Sequence, residues 1–283
     1  MIEDLFNLTV SEHDMVRVKE VFFMDNRTGE VLRKRRLERS YFVIYCISTK
    51  INMDSDRYYT ESKKLYTFFG CTLDGKKKYL SCILETNVEK TSDWYNFFQE
   101  LKKRGMEHIV FALLPKNKEI RDAIKLGFPK VEIFTSCEGI IEKMLKYNSY
   151  KTKDEIYRQI RRIFVARDLV EYELNYKDFV EKYEGYPFLM DMLEEELKNI
   201  RNNYKYSFMV RRIIYAFNYI IEMKNRFSRY NKDKVYNNKD EFIDECAYVI
   251  FMSESSLHYY KDEWTIILNE VYEEKNELIK PYL

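Results

Sequence analysis

Glycine and proline are scarce in this chain, with seven Gly and four Pro among 283 residues. Because these residues most often break helices, so few of them favour long helices, above all beyond residue 137. No apolar run approaches the ~20 residues of a membrane-spanning helix. The N-terminus, MIEDLFNL, is acidic where a secretion signal would be basic. We therefore predict a cytoplasmic protein that makes no membrane contact.

Cysteine is also sparse, and neither charge sign is in excess. The five cysteines are scattered without a Cys-x-x-Cys pair, which argues against a zinc site or a disulfide framework and fits a reducing compartment. The 48 basic residues are balanced by 47 acidic ones, so a nucleic-acid partner can be argued only from local clusters. The three histidines are far apart, and no glycine-rich phosphate loop occurs.

The clearest local signal is the stretch from Lys64 to Glu85, KLYTFFGCTLDGKKKYLSCILE. Asp74-Gly75 lies between two apolar runs, and such a pair predicts a β-hairpin because its residues tolerate positive φ. An apolar strand is predicted before the hairpin at Tyr41–Ile47. The polar segment from Ile51 to Lys63 predicts a loop between that strand and the hairpin.

The order of the elements predicts an α/β fold. After the hairpin come a helix from Thr91 to Gly105, a strand at Met106–Leu114, a helix at Lys118–Leu126 and a strand at Lys130–Phe134. An antiparallel part followed by a β-α-β-α-β succession is the order of a ribonuclease-H-like mixed sheet. The remaining chain predicts helices at Ile140–Tyr147, Asp154–Val165, Tyr176–Tyr183, Phe188–Asn199, Val210–Phe227, Glu241–Phe251 and Trp264–Leu278.

Four segments are predicted from this pattern. The predicted segments are a lead-in with short edge strands at 1–40 (Val21–Met24 and Glu30–Leu32), a ribonuclease-H-like sheet core at 41–137, a large all-helical insertion at 138–209, and a last core helix with C-terminal helices at 210–283.

These motifs, in this order, resemble the catalytic domain of the Mutator-type transposases of bacterial insertion elements. The hairpin, the helix that contains Trp94 and the segment LKKRGMEHIVFALL carry the resemblance, as do Arg35-Arg36-Leu37-Glu38 and RRIIYAFNYI at Arg211 to Ile220. Residues 33–230 are covered. The resemblance implies a ribonuclease-H-like sheet with three carboxylates, which bind two Mg²⁺ ions for strand cleavage and joining.

The three acids that the resemblance implies are not found at their positions. The first position falls on Ile47, or on Phe42 in a shifted register, and the second falls on Pro115. The third falls on Ile221, with Glu222 one step further and turned by about 100° on a helix. We therefore predict no catalytic residue, no metal ligand and no cofactor, and hence that the chain is not an enzyme.

The strongest functional signal is a basic stretch from Arg201 to Lys234, with nine basic residues against two acids and interleaved tyrosines. Such a mixture supplies cations for phosphates and flat rings for stacking. The alternative interpretation is a helix whose tyrosines line a core while its cations extend to water. The predicted nucleic-acid-binding residues are Arg201, Lys205, Arg211, Arg212, Lys224, Arg226, Arg229 and Tyr230.

Together these features predict a domesticated, catalytically inactive transposase-like protein in a regulatory role. It would act by binding DNA or RNA through the basic helical face, or by binding a protein partner, and as a homodimer by analogy with transposases. One alternative is a pure protein-interaction or structural module on the same scaffold. The other is a metal-dependent nuclease or transposase with relocated acids, for which Glu222 and Asp54 are candidates.

Overall fold

Five strands form one mixed sheet in the order β3-β2-β1-β4-β5. The computed structural model describes residues 28–55, 59–139, 141, 153–184, 200–254 and 261–280. The strands are β1 (Ser40–Ser55), β2 (Tyr59–Thr72), β3 (Lys77–Leu84), β4 (His108–Leu114) and β5 (Glu132–Thr135). Strands β1 to β3 pair antiparallel, whereas β4 runs parallel to β1 and β5 parallel to β4. The predicted α/β fold, with an antiparallel part followed by parallel strands in one mixed sheet, is confirmed.

Helices cover both faces of this sheet. They are α1 (Thr28–Lys34), α2 (Thr91–Lys103), α3 (Lys118–Gly127), α4 (Lys153–Phe164), α5 (Leu169–Tyr183), α6 (Phe208–Tyr215), α7 (Phe217–Asn231), α8 (Lys239–Glu254) and α9 (Lys261–Ile279). Alternate side chains of a strand point to opposite faces, so Phe68 packs on α2 while Phe69 packs on α7. The two faces therefore bury two separate apolar clusters.

The predicted hairpin is present, with its turn at Asp74-Gly75. Gly75 has φ 83°, and its N–H donates to the carbonyl of Thr72 at 3.1 Å. The Thr72 hydroxyl accepts from the N–H of Lys76 at 2.9 Å. A second positive φ, 113°, occurs at Gly105 between α2 and β4, which explains why glycine ends the LKKRG motif.

The loop predicted from Ile51 to Lys63 is wrong for most of its length. β1 and β2 remain paired from Ile51 opposite Lys63 to Ser55 opposite Tyr59. Ile51 and Met53 are buried, and the segment after α7 covers the free edge of β1, since the Tyr236 N–H donates to the Asn52 carbonyl at 3.0 Å. The strand is stabilised by partners that lie far away in sequence.

The lead-in also differs from its prediction. Glu30–Leu32 was expected as an edge strand, but it lies within α1, which packs against α8 and β3. Arg35 links these elements, because its guanidinium donates to the Glu254 carboxylate at 2.7 Å and to the Tyr79 carbonyl at 2.5 Å. The edge strand at 21–24 lies outside the described residues.

The helix predicted as Val210–Phe227 is two helices. Ala216 separates α6 from α7 with φ 39° and ψ 39°. Residues other than glycine rarely adopt this left-handed backbone conformation. The helices predicted at Asp154–Val165, Tyr176–Tyr183, Glu241–Phe251 and Trp264–Leu278 are confirmed as α4, part of α5, α8 and α9. Those at 140–147 and 188–199 lie outside the described residues, apart from residue 141. Among the helices that the structure describes, none has the length and apolar character needed to cross a membrane.

Candidate nucleic-acid interface

The C-terminal ends of the parallel strands meet at one edge of the sheet, around Glu138. This residue follows β5, and its carboxylate accepts from the Ser48 hydroxyl at 3.1 Å. Lys224 of α7 forms an ion pair with it at 3.3 Å, and only 12% of the Glu138 side chain and 21% of the Lys224 side chain are exposed. Burial raises the pKa of Glu138, although the Lys224 ammonium and the Ser48 groups oppose that shift.

The positions that the resemblance assigns to the acids lie at this edge. Ile47 precedes Ser48 on β1, Pro115 follows β4, and Ile221 of α7 lines the same small cavity as Glu138. Glu222 does not line that cavity; it lines two other depressions on α7, one of which also includes Ile221. Isoleucine and proline side chains offer no oxygen to a hard cation, so these positions do not fit a two-metal centre.

Other acids do not complete a metal site within the part of the chain that the structure describes, where no group of three His, Cys, Asp or Glu side chains is arranged to hold an ion. Glu138 was not among the predicted site residues. Its position four residues after Phe134 could have pointed to it, because residues that follow neighbouring parallel strands converge at one edge.

Four of the predicted nucleic-acid-binding cations are engaged in ion pairs. Lys224 pairs with Glu138, as described, and Arg226 pairs with Glu222 one turn earlier on α7. The other two pairs are Arg201 with Glu173 at 3.5 Å and Lys205 with Glu132 at 3.0 Å. Neighbouring acids reduce the positive potential of these cations toward a phosphate.

Arg211 lies in the core, where only 1% of its surface is exposed. Its guanidinium donates to the carbonyls of Tyr206 at 3.0 Å, Ala166 at 2.7 Å and Arg167 at 3.0 Å. The expectation that Arg211 lies on a nucleic-acid surface is therefore wrong. The side chain faces inward on α6 and joins this helix to the end of α4. Tyr230 is half-buried and packs against the same core.

Arg212, the next residue, is exposed and lies beside Phe208, which lines a depression between α4 and α6. The depression has a volume of about 350 Å³, and Phe208 is part of its lining. The Arg212 guanidinium lies 5.4 Å from the Phe208 ring centroid. The arginines that line the depression from α4 and the segment after it are Arg158, Arg161, Arg162 and Arg167. We call these four arginines, together with Arg212, the arginine cluster.

A second, smaller group lies further along α7. Arg229 and Arg226 line a depression of about 390 Å³ with Asn218, Asn225 and Glu222. Thus the eight predicted residues do not form one face. Arg212 belongs to the arginine cluster, Arg226 and Arg229 to the α7 depression, and the remaining residues to ion pairs or the core.

Comparison with known proteins decides the family of this chain. A sequence profile described as "Transposase, Mutator family" matches residues 1–259. This chain belongs to the Mutator family of transposases. The resemblance in the hairpin, the α2 helix and the LKKRG motif is thereby confirmed.

Two relatives of this Mutator-family chain are each 25% identical over 251 residues. One is named a probable transposase for insertion sequence element ISRM3-like, from Sinorhizobium fredii (strain NBRC 101917 / NGR234). The other is named the transposase for insertion sequence element ISRM3, from Rhizobium meliloti (strain 1021). In each case the match covers 88% of this chain and 62% of the relative.

Family membership corrects one prediction. The missing acids led to the expectation that this chain is not an enzyme, but the relatives it matches are named transposases, which are enzymes. That expectation is overturned, and the inactive, domesticated form that rested on it loses its support. Ile47, Pro115 and Ile221 show only that these three positions lack an acid. They carry no conclusion about activity.

Proposed function

We propose that this chain is a transposase that binds the DNA of an insertion element and acts on it, with the DNA backbone lying across the arginine cluster. One observation carries the proposal: four arginines from α4 and the segment after it line a single depression together with one acid, Glu171, and Arg212 of α6 lies beside Phe208 of the same depression. Arginine forms charge-assisted hydrogen bonds with phosphate, and repulsion among clustered guanidinium groups is relieved when an anion binds.

The predicted residues Arg212, Arg226 and Arg229 fit the same proposal. Arg226 and Arg229 line the α7 depression, and Arg212 lines a neighbouring cavity together with Arg161. Duplex phosphates that follow this surface would meet the arginine cluster first and the α7 depression next. RNA is the alternative polymer, and its binding is an outcome of the same test.

The test is the affinity for a fluorescent duplex as a function of salt, measured by anisotropy. Each phosphate contact contributes roughly 0.9 to the slope of log K against log salt. We expect the double variant Arg161→Gln/Arg212→Gln to lower that slope by about 2. Lys125→Gln, which removes an exposed charge from α3 on the opposite face of the sheet, is the matched control and should leave the slope unchanged.

Absence of duplex binding at low salt would refute DNA binding and favour the protein-interaction module. Tighter binding of an RNA duplex than of a DNA duplex would identify RNA, and not DNA, as the partner. Activity is tested separately, by strand cleavage of a DNA end in Mg²⁺ or Mn²⁺. If cleavage occurs, its loss in Glu222→Gln or Asp54→Asn would identify relocated acids.

Two further predictions remain proposals. We propose a cytoplasmic location, supported by the five cysteines, all of which are free, as expected in a reducing compartment. We also propose a homodimer, by analogy with transposases. Light scattering of the purified chain, with and without DNA, tests the second proposal, and a monomeric mass in both samples would refute it.

A further inference from the structure

A cavity of about 520 Å³ lies between the sheet and the α6–α7 junction. Its inner wall is the sheet, with Tyr45 and Lys77, and its outer wall is α6 and α7. Arg161 and Arg212 of the arginine cluster reach the cavity from outside. Its volume lies within the ~300–1,000 Å³ that is usual for small-ligand sites, and Tyr45, Lys77 and Tyr219 in its lining do not belong to the arginine cluster.

Lys77 is the unusual residue of this cavity. Only 8% of its surface is exposed, and its ammonium lies 4.1 Å from the centroid of the Tyr219 ring. Among the described residues, no side-chain or backbone oxygen accepts a hydrogen bond from it. Burial lowers the pKa of Lys77, against the opposing effect of Cys71 and Glu222. A buried ammonium without an acceptor costs free energy, which a bound anion or carbonyl group would recover.

The cavity combines cations at two depths. Arg161 and Arg212 are exposed and lie at its entrance, whereas Lys77 lies against the sheet. One acid, Glu222, also contributes to the wall, but its carboxylate is paired with Arg226. The aromatic rings of Phe217 and Tyr219 supply apolar surface between the two depths.

The break between α6 and α7 shapes this wall. Ala216 lines the cavity in a left-handed conformation, which is unfavourable for a residue with a side chain. Because of the break, Arg212 on α6 and Tyr219 on α7 face the same space. Strained backbone of this kind clusters at binding sites.

We propose that this cavity, the Lys77 cavity, takes one nucleotide that is outside the double helix, with its phosphate between Arg161 and Arg212 and its base toward Lys77. A duplex is too wide to enter, so a paired phosphate can meet the outer arginines but not Lys77. The proposal rests on the proposed DNA binding and adds a preference for DNA with an unpaired nucleotide, since such DNA needs no base pair to be broken before the nucleotide enters.

The test compares three duplexes that carry the same 2-aminopurine, which is paired with thymine in one, placed in a single-nucleotide bulge in the second, and left as a terminal overhang in the third. We expect the wild-type chain to bind the bulge or the overhang at least about fivefold more tightly than the paired duplex, as base-specific contacts of roughly 1–3 kcal/mol imply. Lys77→Met should abolish that preference and leave the affinity for the paired duplex unchanged. Glu222→Gln should increase the preference for the unpaired nucleotide.

Equal binding of the three duplexes by the wild-type chain, or an unchanged preference in Lys77→Met, would overturn the Lys77 cavity as a nucleotide site. If Lys77→Met does not fold, Arg212→Gln at the entrance must reduce the preference as well as the paired affinity, and a reduction of the paired affinity alone would overturn the proposal.

Free 2-aminopurine deoxyribonucleoside monophosphate separates this proposal from the preceding one. Fluorescence change on binding to the wild-type chain but not to Lys77→Met would support the cavity even if no duplex binds. Duplex binding without any preference would leave the arginine cluster intact and refute the cavity alone. Inorganic phosphate that competes as well as the nucleotide would refute a role for the base.

Discussion

The guanidinium of Arg211 lies 3.8 Å from the centroid of the Tyr204 ring, inside the helical layer that covers the sheet. Tyr204 in turn donates from its hydroxyl to the Ile163 carbonyl at 2.8 Å. The pair therefore joins α6 to α4 from within, and it places the neighbouring Arg212 on the outer surface. One arginine holds the helices together, and the next is available to a partner.

This relationship predicts opposite outcomes for adjacent arginines. Arg211→Gln leaves several carbonyls without their charged donor, and we expect it to lower the free energy of unfolding by about 1–3 kcal/mol. Arg212→Gln should change stability by less than about 0.5 kcal/mol and instead weaken DNA binding. Urea unfolding and duplex anisotropy measure the two effects. Equal stability of both variants would contradict the structural role of Arg211.

Gly70 predicts a steric effect within the hairpin. A Cβ atom at this position would lie 2.4 Å from Cδ1 of Tyr41, whose ring is fully buried. We expect Gly70→Ala to cost about 1–3 kcal/mol through overpacking. Gly139→Ala is the control, because nothing lies within 4 Å of its added Cβ. A shift in thermal midpoint that is no larger for Gly70→Ala than for Gly139→Ala would refute this packing.

The ion pairs of Glu132 make part of the stability of the fold depend on pH. Burial raises its pKa, but the Tyr206 hydroxyl and the ammonium groups of Lys205 and Lys275 lower it more, so the net pKa lies below the ordinary value. The folded state therefore binds the proton less readily than the unfolded chain, and the stabilisation present at neutral pH is lost as the pH falls below about 5.

We expect Glu132→Gln to lower the free energy of unfolding by about 1 kcal/mol at pH 7 and by less at acidic pH, where the wild-type chain has lost the same contribution. Unfolding at a series of pH values measures the difference. Glu89→Gln, an exposed glutamate, is the control. If the difference in free energy of unfolding between the wild type and Glu132→Gln grows as the pH falls, the prediction is contradicted.

Glu138 predicts the opposite pH dependence at the sheet edge. Its pKa is raised by burial despite Lys224, so protonation favours the folded state as the pH falls from the folded pKa toward the unfolded one. Lys224→Met should raise that pKa further and cost about 3 kcal/mol at neutral pH, with part of the loss recovered on acidification. Lys232→Met is the exposed control. The double variant Lys224→Met/Glu138→Gln should also recover stability, and its failure to do so would contradict the ion pair.

The secondary structure of the sheet region was largely predictable. The hairpin turn at Asp74-Gly75, the buried strand β4 and the helices α2 and α3 follow from neighbouring residues alone, because turn chemistry and apolar periodicity act over a few residues. The same motifs carry the family resemblance.

Long-range packing decided the rest. The extension of β1 to Ser55 depends on pairing with β2 and on Tyr236, and the left-handed Ala216 is held by the helices on either side of it. Arg211 and Arg212 are identical in sequence terms, yet one step along a helix turns a side chain by about 100° and sends the first into the core and the second to the surface. The sequence by itself determined the strands, the turn and the family. Only the tertiary structure decided which cations are buried and which are exposed, because burial depends on neighbours that are distant along the chain.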